Sequence, residues 1–85
     1  MKTIIEFNYQ VTSQRGLIND NTTVREFVLK LEEEVKEFLD AALHDKGDFN
    51  HELADIILVC LNISRHYGID IEQQLLNNIS KNLLR

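Results

Sequence analysis

Apolar residues along this chain recur at helical rather than strand spacing. Val24, Phe27, Val28, Leu31, Val35, Phe38, Leu39 and Ala42 follow an i, i+3, i+4, i+7 pattern, which predicts a helix from about Val24 to His44. Thr23 and Glu26 stand three apart at its start, as in a capping box. Lys46-Gly47-Asp48 is expected to end it, with Gly47 available as a left-handed cap. The next helix should open near Asp48 or Asn50 and run to about Tyr67. It is apolar nearly all round, from Leu53 and Ala54 through Ile56 to Leu61 and on to Ile63, so it should be buried on more than one side. In so short a chain that implies a partner subunit over one face. Gly68 closes this helix, and Asp70 opens a fourth that carries Ile71, Leu75, Leu76, Ile79 and Leu83. Ahead of them, Ile4, Ile5, Phe7 and Val11 are weakly periodic over about Lys2 to Ser13. We read that segment as a helix, although Ile4-Ile5 also suits the start of a strand. Gln14 to Asn21, with Gly16, Asn19 and Asp20, reads as a loop. With no Pro and three Gly, nothing supports a sheet. The expectation is one all-α domain over residues 1–85, a bundle of about four helices completed by oligomerisation to a dimer or tetramer.

Charge narrows the partners. A formal net charge of −5 argues against nucleic-acid polymers and anionic membranes. No run approaches the ~18 apolar residues of a membrane span, and the first residues lack the apolar stretch of a signal peptide. The single cysteine, Cys60, excludes an internal disulfide and reads as a small buried hydrophobe in a reducing compartment. A cytoplasmic protein is expected.

The acidic residues change the picture most. Glu33-Glu34-Val35-Lys36-Glu37 lies in the second helix, and Glu52-Leu53-Ala54-Asp55 lies in the third. At about 100° per residue, Glu34 with Glu37 and Glu52 with Asp55 each form a short ladder on one face. Antiparallel packing of the two helices would bring four carboxylates into one small volume. Such a cluster repels itself by several kcal/mol in a partly dry site and needs a cation. Hard oxygen ligands suit Mg²⁺, or Mn²⁺, rather than Zn²⁺. A lone ExxE is most often a solvated surface. An Asp inside the apolar run from Leu53 to Leu61 is the sharper signal, because a buried carboxylate is costly unless paired or metal-bound. Asp55 therefore reads as the ligand in the most apolar surroundings. Glu32 and Glu33 point further round to solvent. His44, His51 and His66 fit no ligand spacing with the acidic pairs and read as surface or helix-edge residues.

Taken together these motifs resemble the MazG-like, all-α nucleoside triphosphate pyrophosphohydrolases. The family pattern is EExxE, a spacer, ExxD, a Gly-Ile-Asp turn and a KNxxR ending. Here it is Glu33-Glu34-Val35-Lys36-Glu37, Glu52-Leu53-Ala54-Asp55, Gly68-Ile69-Asp70 and Lys81-Asn82-Leu83-Leu84-Arg85, a resemblance covering roughly residues 25 to 85. It implies that Glu34, Glu37, Glu52 and Asp55 are Mg²⁺ ligands. It also implies that Lys81, Asn82 and Arg85 approach the phosphates. The reaction implied is Mg²⁺-dependent hydrolysis of a (deoxy)nucleoside triphosphate to the monophosphate and pyrophosphate. Glu34 belongs to the catalytic set, and a spare carboxylate, Glu33 or Glu37, could take a proton from water; the residues do not choose between them.

Where many members carry an aromatic four residues after the ExxD aspartate, this chain has Val59. Residues 1–24 match least, and Phe7, Tyr9 and Gln14 read as core or surface residues before they read as contacts to a base. Two other readings stand beside the first. One is the phosphoribosyl-ATP pyrophosphohydrolase of histidine biosynthesis, which has related acidic motifs. The other is a non-catalytic helical oligomer with a solvated acidic face.

Overall fold

The structure, a computed structural model, describes residues 1–84. It consists of four α-helices: α1 (Lys2–Gln14), α2 (Val24–His44), α3 (Phe49–His66) and α4 (Ile71–Leu83). No strand occurs among the described residues, and no helix is long and apolar enough to cross a membrane.

Local chemistry sets the helix ends. Thr23 caps α2, its hydroxyl accepting from the Glu26 N–H at 3.2 Å. The reciprocal half of the capping box differs from expectation. The Glu26 carboxylate accepts from the Thr23 hydroxyl at 3.2 Å, so the Glu serves the capping side chain instead of a backbone donor. Asp48 caps α3 by accepting from the Asn50 and His51 N–H groups, and Asp70 caps α4 by accepting from the Gln73 N–H. Thr23→Ala should cost about 1 kcal/mol, and a fall of several degrees in Tm by circular dichroism checks this.

The end of α2 departs from expectation. Asp45, and not Gly47, takes the left-handed cap, at φ 56° and ψ 39°. Asp tolerates that conformation better than most residues with a Cβ. Gly47 follows at φ 116°, a region open mainly to glycine, so both residues are needed to reverse the chain within residues 45–48. That tight turn makes α2 and α3 antiparallel neighbours.

α3 is the central element, with α2 packed along one side and α1 along another. The core they share is small: Phe27 and Ala41 from α2, Val59 and Leu61 from α3, and Ile18 from the loop before α2. That loop is better built than its composition suggested. Ile18 and Thr22 are both buried, and the Thr22 hydroxyl accepts from the Asn19 N–H at 2.8 Å. His66, expected at the surface or at a helix edge, is the last residue of α3. It is half-buried, 4.9 Å from the rings of both Phe27 and Tyr67, and its Nδ1 meets the Tyr9 hydroxyl at 2.8 Å. This cluster ties α1 to the end of α3.

Much apolar surface stays uncovered. Leu53, Ile57 and Cys60 stand exposed along one side of α3, so the cysteine expected to be a buried hydrophobe is on the surface. Ile4, Phe7 and Val11 of α1 and Val28, Val35 and Leu39 of α2 form similar exposed rows. Helix α4 has no buried residue and leaves Leu75, Leu76 and Ile79 open to solvent.

Candidate metal centre

The acidic residues of α2 and α3 meet where the two helices face each other. Glu34 belongs to two groups of three carboxylates. With Glu52 and Asp55 it forms one in which an oxygen of each lies within 4.8 Å of the others; with Glu33 and Glu37 it forms a second at the same spacing. Glu34 is the shared member. It is also the most buried of these acids, at 6% exposure, whereas Asp55 is only partly covered. The sequence had suggested the reverse. Apolar neighbours in a helical sequence point about 100° apart, so Ile56 and Ile57 leave Asp55 open on the cleft side. Glu34, at the edge of the α2 stripe, is covered by α3.

The carboxylates are incompletely satisfied. Glu34 Oε1 accepts from Lys30 Nζ at 3.0 Å, one turn earlier on α2. Glu34 Oε2 and Glu52 Oε2 are buried and have no hydrogen-bond partner. A buried carboxylate oxygen without a donor costs free energy comparable to a lost charged hydrogen bond. Two such atoms on facing helices, beside Asp55, are what a bound cation would relieve. The donor set is all oxygen, which fits a hard divalent ion.

Nearby charges register the crowding. The negative charge of Glu34 raises the Glu37 carboxyl above its ordinary range, helped by partial desolvation and by Glu52 and Glu33. Its hydrogen bond to Glu34 likewise raises Lys30 above the ordinary lysine value, against some desolvation. Lys30 also lies 3.7 Å from the exposed Glu33. His51 Nε2 lies 3.2 Å from Asp55 Oδ2, four residues along α3. His51 fits no ligand spacing with the acidic pairs in the sequence, yet the structure connects it to Asp55.

Of these acids, Glu33, Glu34 and Asp55 line a cleft of about 490 Å³, a size usual for small-molecule sites. Its walls carry Glu33, Glu34, Asp55 and Lys30, then the apolar Phe27, Leu58 and Val59, then Asn8, Thr12 and Asn62. Arg15, Glu26 and the loop residues Leu17, Ile18 and Thr22 complete it. Lys81 and Asn82 are exposed on α4 and do not line it, and Arg85 lies outside the described residues.

A family model, the MazG nucleotide pyrophosphohydrolase domain, matches residues 22–85. The chain belongs to this family. No curated protein and no solved structure was found to match it. The MazG segment spans α2, α3 and α4 and so contains both acidic pairs, while α1 precedes it.

Sequence reasoning missed several residues of this MazG cleft. Lys30 was legible as an i, i+4 partner of Glu34, and His51 as one of Asp55. Asn62 carried the signal used for Asp55, a polar side chain in an apolar helix, and it is buried at 7% exposure. Asn8 and Thr12 had no such signal. The candidates Phe7, Tyr9 and Gln14 flank them in sequence but line no part of the cleft.

Proposed function

We propose that this chain is a Mg²⁺-dependent nucleoside triphosphate pyrophosphohydrolase, converting a (d)NTP to the (d)NMP and pyrophosphate. Membership of the MazG family supports the reaction class. The observation that carries the metal is the pair of buried, unpartnered oxygens, Glu34 Oε2 and Glu52 Oε2, beside Asp55. Glu34, Glu52 and Asp55, with Glu37, would hold the ion; Mn²⁺ has the same oxygen preference. Bound there, Mg²⁺ would supply charge neutralisation and Lewis acidity toward the phosphates.

The chain's own residues do the remaining work. Water adds to a phosphorus of the α–β anhydride, the bridging P–O bond breaks, and its electrons leave with the departing group. That group is pyrophosphate for attack at the α-phosphorus and the nucleoside monophosphate for attack at the β-phosphorus. A carboxylate must take the water's proton, and Glu33 and Glu37 are the exposed members of the cluster. Of these, Glu33 is the one that is not also needed as a ligand, so it is free to take that role when Glu37 holds the ion. Lys30 and Arg15 line the cleft, so their charges are available to phosphate oxygens. Lys81, Asn82 and Arg85, the polar residues of the KNxxR ending, are kept as proposed phosphate contacts. The uncovered rows on all four helices support self-association to a dimer or tetramer.

The test is a panel of ribo- and deoxyribonucleoside triphosphates with Mg²⁺, scored for pyrophosphate, with phosphoribosyl-ATP included. Pyrophosphate from one or more triphosphates, lost in EDTA, is expected. Cleavage of phosphoribosyl-ATP alone would move the chain to the histidine-biosynthetic reaction. No release from any substrate, together with a melting curve indifferent to Mg²⁺, would leave a non-catalytic helical protein.

A further inference from the structure

At the end of the cleft away from the carboxylates, three polar side chains form a network of fixed polarity. Asn8 Nδ2 donates to the Leu58 carbonyl at 2.9 Å and to Asn62 Oδ1 at 2.9 Å. Asn62 Nδ2 donates to Thr12 Oγ1 at 3.1 Å, and the Thr12 hydroxyl donates to the Asn8 carbonyl at 2.7 Å. A backbone carbonyl only accepts, so the Asn8 group facing Leu58 must be the NH₂. That NH₂ faces Asn62 Oδ1, which puts the Asn62 NH₂ toward Thr12. The Thr12 proton is already committed to a carbonyl, so its oxygen must accept. Both amide orientations therefore follow from main-chain acceptors, and neither is free to flip.

Counting what is left gives a definite chemical face. Asn8 has used both N–H groups and retains Oδ1, an acceptor. Asn62 has used one N–H and its oxygen and retains one donor. No described residue takes up either. The two amides are in direct contact, and both line the cleft. An acceptor beside a donor complements the hydrogen-bonding edge of a nucleobase: N3–H beside O4 in uracil and thymine, or an amino group beside a ring nitrogen in cytosine and adenine. Position agrees. Asn62 is two turns beyond Asp55 on α3, about 10.5 Å along the axis, and Phe27, Leu58 and Val59 lie between as an apolar lining for a flat ring.

We propose that Asn8 and Asn62, held in orientation by Thr12 and the Leu58 carbonyl, read the base of the substrate through the Asn8 Oδ1 acceptor and the Asn62 Nδ2 donor. The inference rests on the hydrolase reading and adds that selection occurs at the base edge, and not only at the triphosphate. The same network also fastens α1 to α3, so loss of activity in a variant would not by itself identify a reader. The deciding measurement uses the wild-type chain. Each nucleoside triphosphate it cleaves is compared with the analogue methylated on that edge, such as N3-methyl-dTTP or N4,N4-dimethyl-dCTP. The methylated compounds should lose about tenfold to a hundredfold in kcat/KM, carried mainly by KM.

A second arm is Asn62→Asp, which keeps the shape and the acceptor for Asn8. The Thr12 hydroxyl can turn to donate to the new oxygen. The leftover donor becomes an acceptor, so the ranking of bases should change; a carboxylate at this buried position also lowers Tm, so the ranking, and not the stability, is the readout. If that variant does not fold, the methylated analogues decide alone. Equal cleavage of parent and methylated compounds by the wild-type chain overturns the reader and leaves the hydrolase intact. A wild-type chain that cleaves no triphosphate overturns both.

Discussion

Glu34→Gln is expected to lower pyrophosphate release by about three orders of magnitude while leaving the chain folded. Glu34 is shared by both groups of carboxylates and is the most buried among them, so removing its charge weakens any cation site built from either group. Stability without metal should not fall far. The variant gives up the ion pair with Lys30, whose ammonium is half exposed, and such pairs contribute at most about 1 kcal/mol. Against that loss it removes one negative charge facing Glu33, Glu37, Glu52 and Asp55. Wild type should gain stability from Mg²⁺, by about 2.7 kcal/mol at a hundredfold excess over Kd, and the variant should gain little. Melting curves of both proteins in EDTA and in millimolar Mg²⁺ check this. An Mg²⁺-induced rise in Tm of equal size in both would remove Glu34 from the site.

The second large effect concerns assembly. Ile57→Lys is expected to weaken self-association about a thousandfold. Ile57 is 50% exposed in the single chain and sits between Leu53 and Cys60 on the uncovered side of α3. Burying the exposed half of such a side chain is worth about 1 kcal/mol, which a two-fold axis counts twice. Desolvating the two introduced ammonium groups adds about as much again, so the substitution acts on the dissociation constant through about 4 kcal/mol. Sedimentation equilibrium measures it directly. Because the side chain is half exposed, the fold of the chain itself should tolerate lysine. Leu61 is a different case: it belongs to the core within the chain, and Leu58 lines the cleft. Lysine at Leu61 would unfold the chain rather than separate copies, so it cannot report on assembly. A wild-type chain that is monomeric at micromolar concentration, with a Tm independent of concentration, would refute the uncovered rows as an interface.

What could be read from the sequence was local. The bounds of α2, the caps Thr23, Asp48 and Asp70, and the one-turn spacing of Glu34 with Glu37 and of Glu52 with Asp55 depend on residues within a turn or two of one another. Helical periodicity and capping chemistry act over that range. The family resemblance rested on the same short motifs, and the matching segment begins at residue 22. Burial was not local. Asp55 looked buried because its sequence neighbours are apolar, yet Glu34 is the covered carboxylate, since coverage depends on which face of α2 meets α3. Cys60 was misjudged for the same reason. The turn after α2 was misassigned to Gly47 because Asp45 pays a modest backbone cost that the tight α2–α3 connection imposes. The Asn8–Asn62–Thr12 network joins positions about fifty residues apart, through contacts of two helices that no period along the chain encodes. The sequence alone determined the helices and the acidic ladders; only the packing of α1 and α2 on α3 decided which carboxylate is buried and which amides face the cleft, because both depend on how separate helices meet.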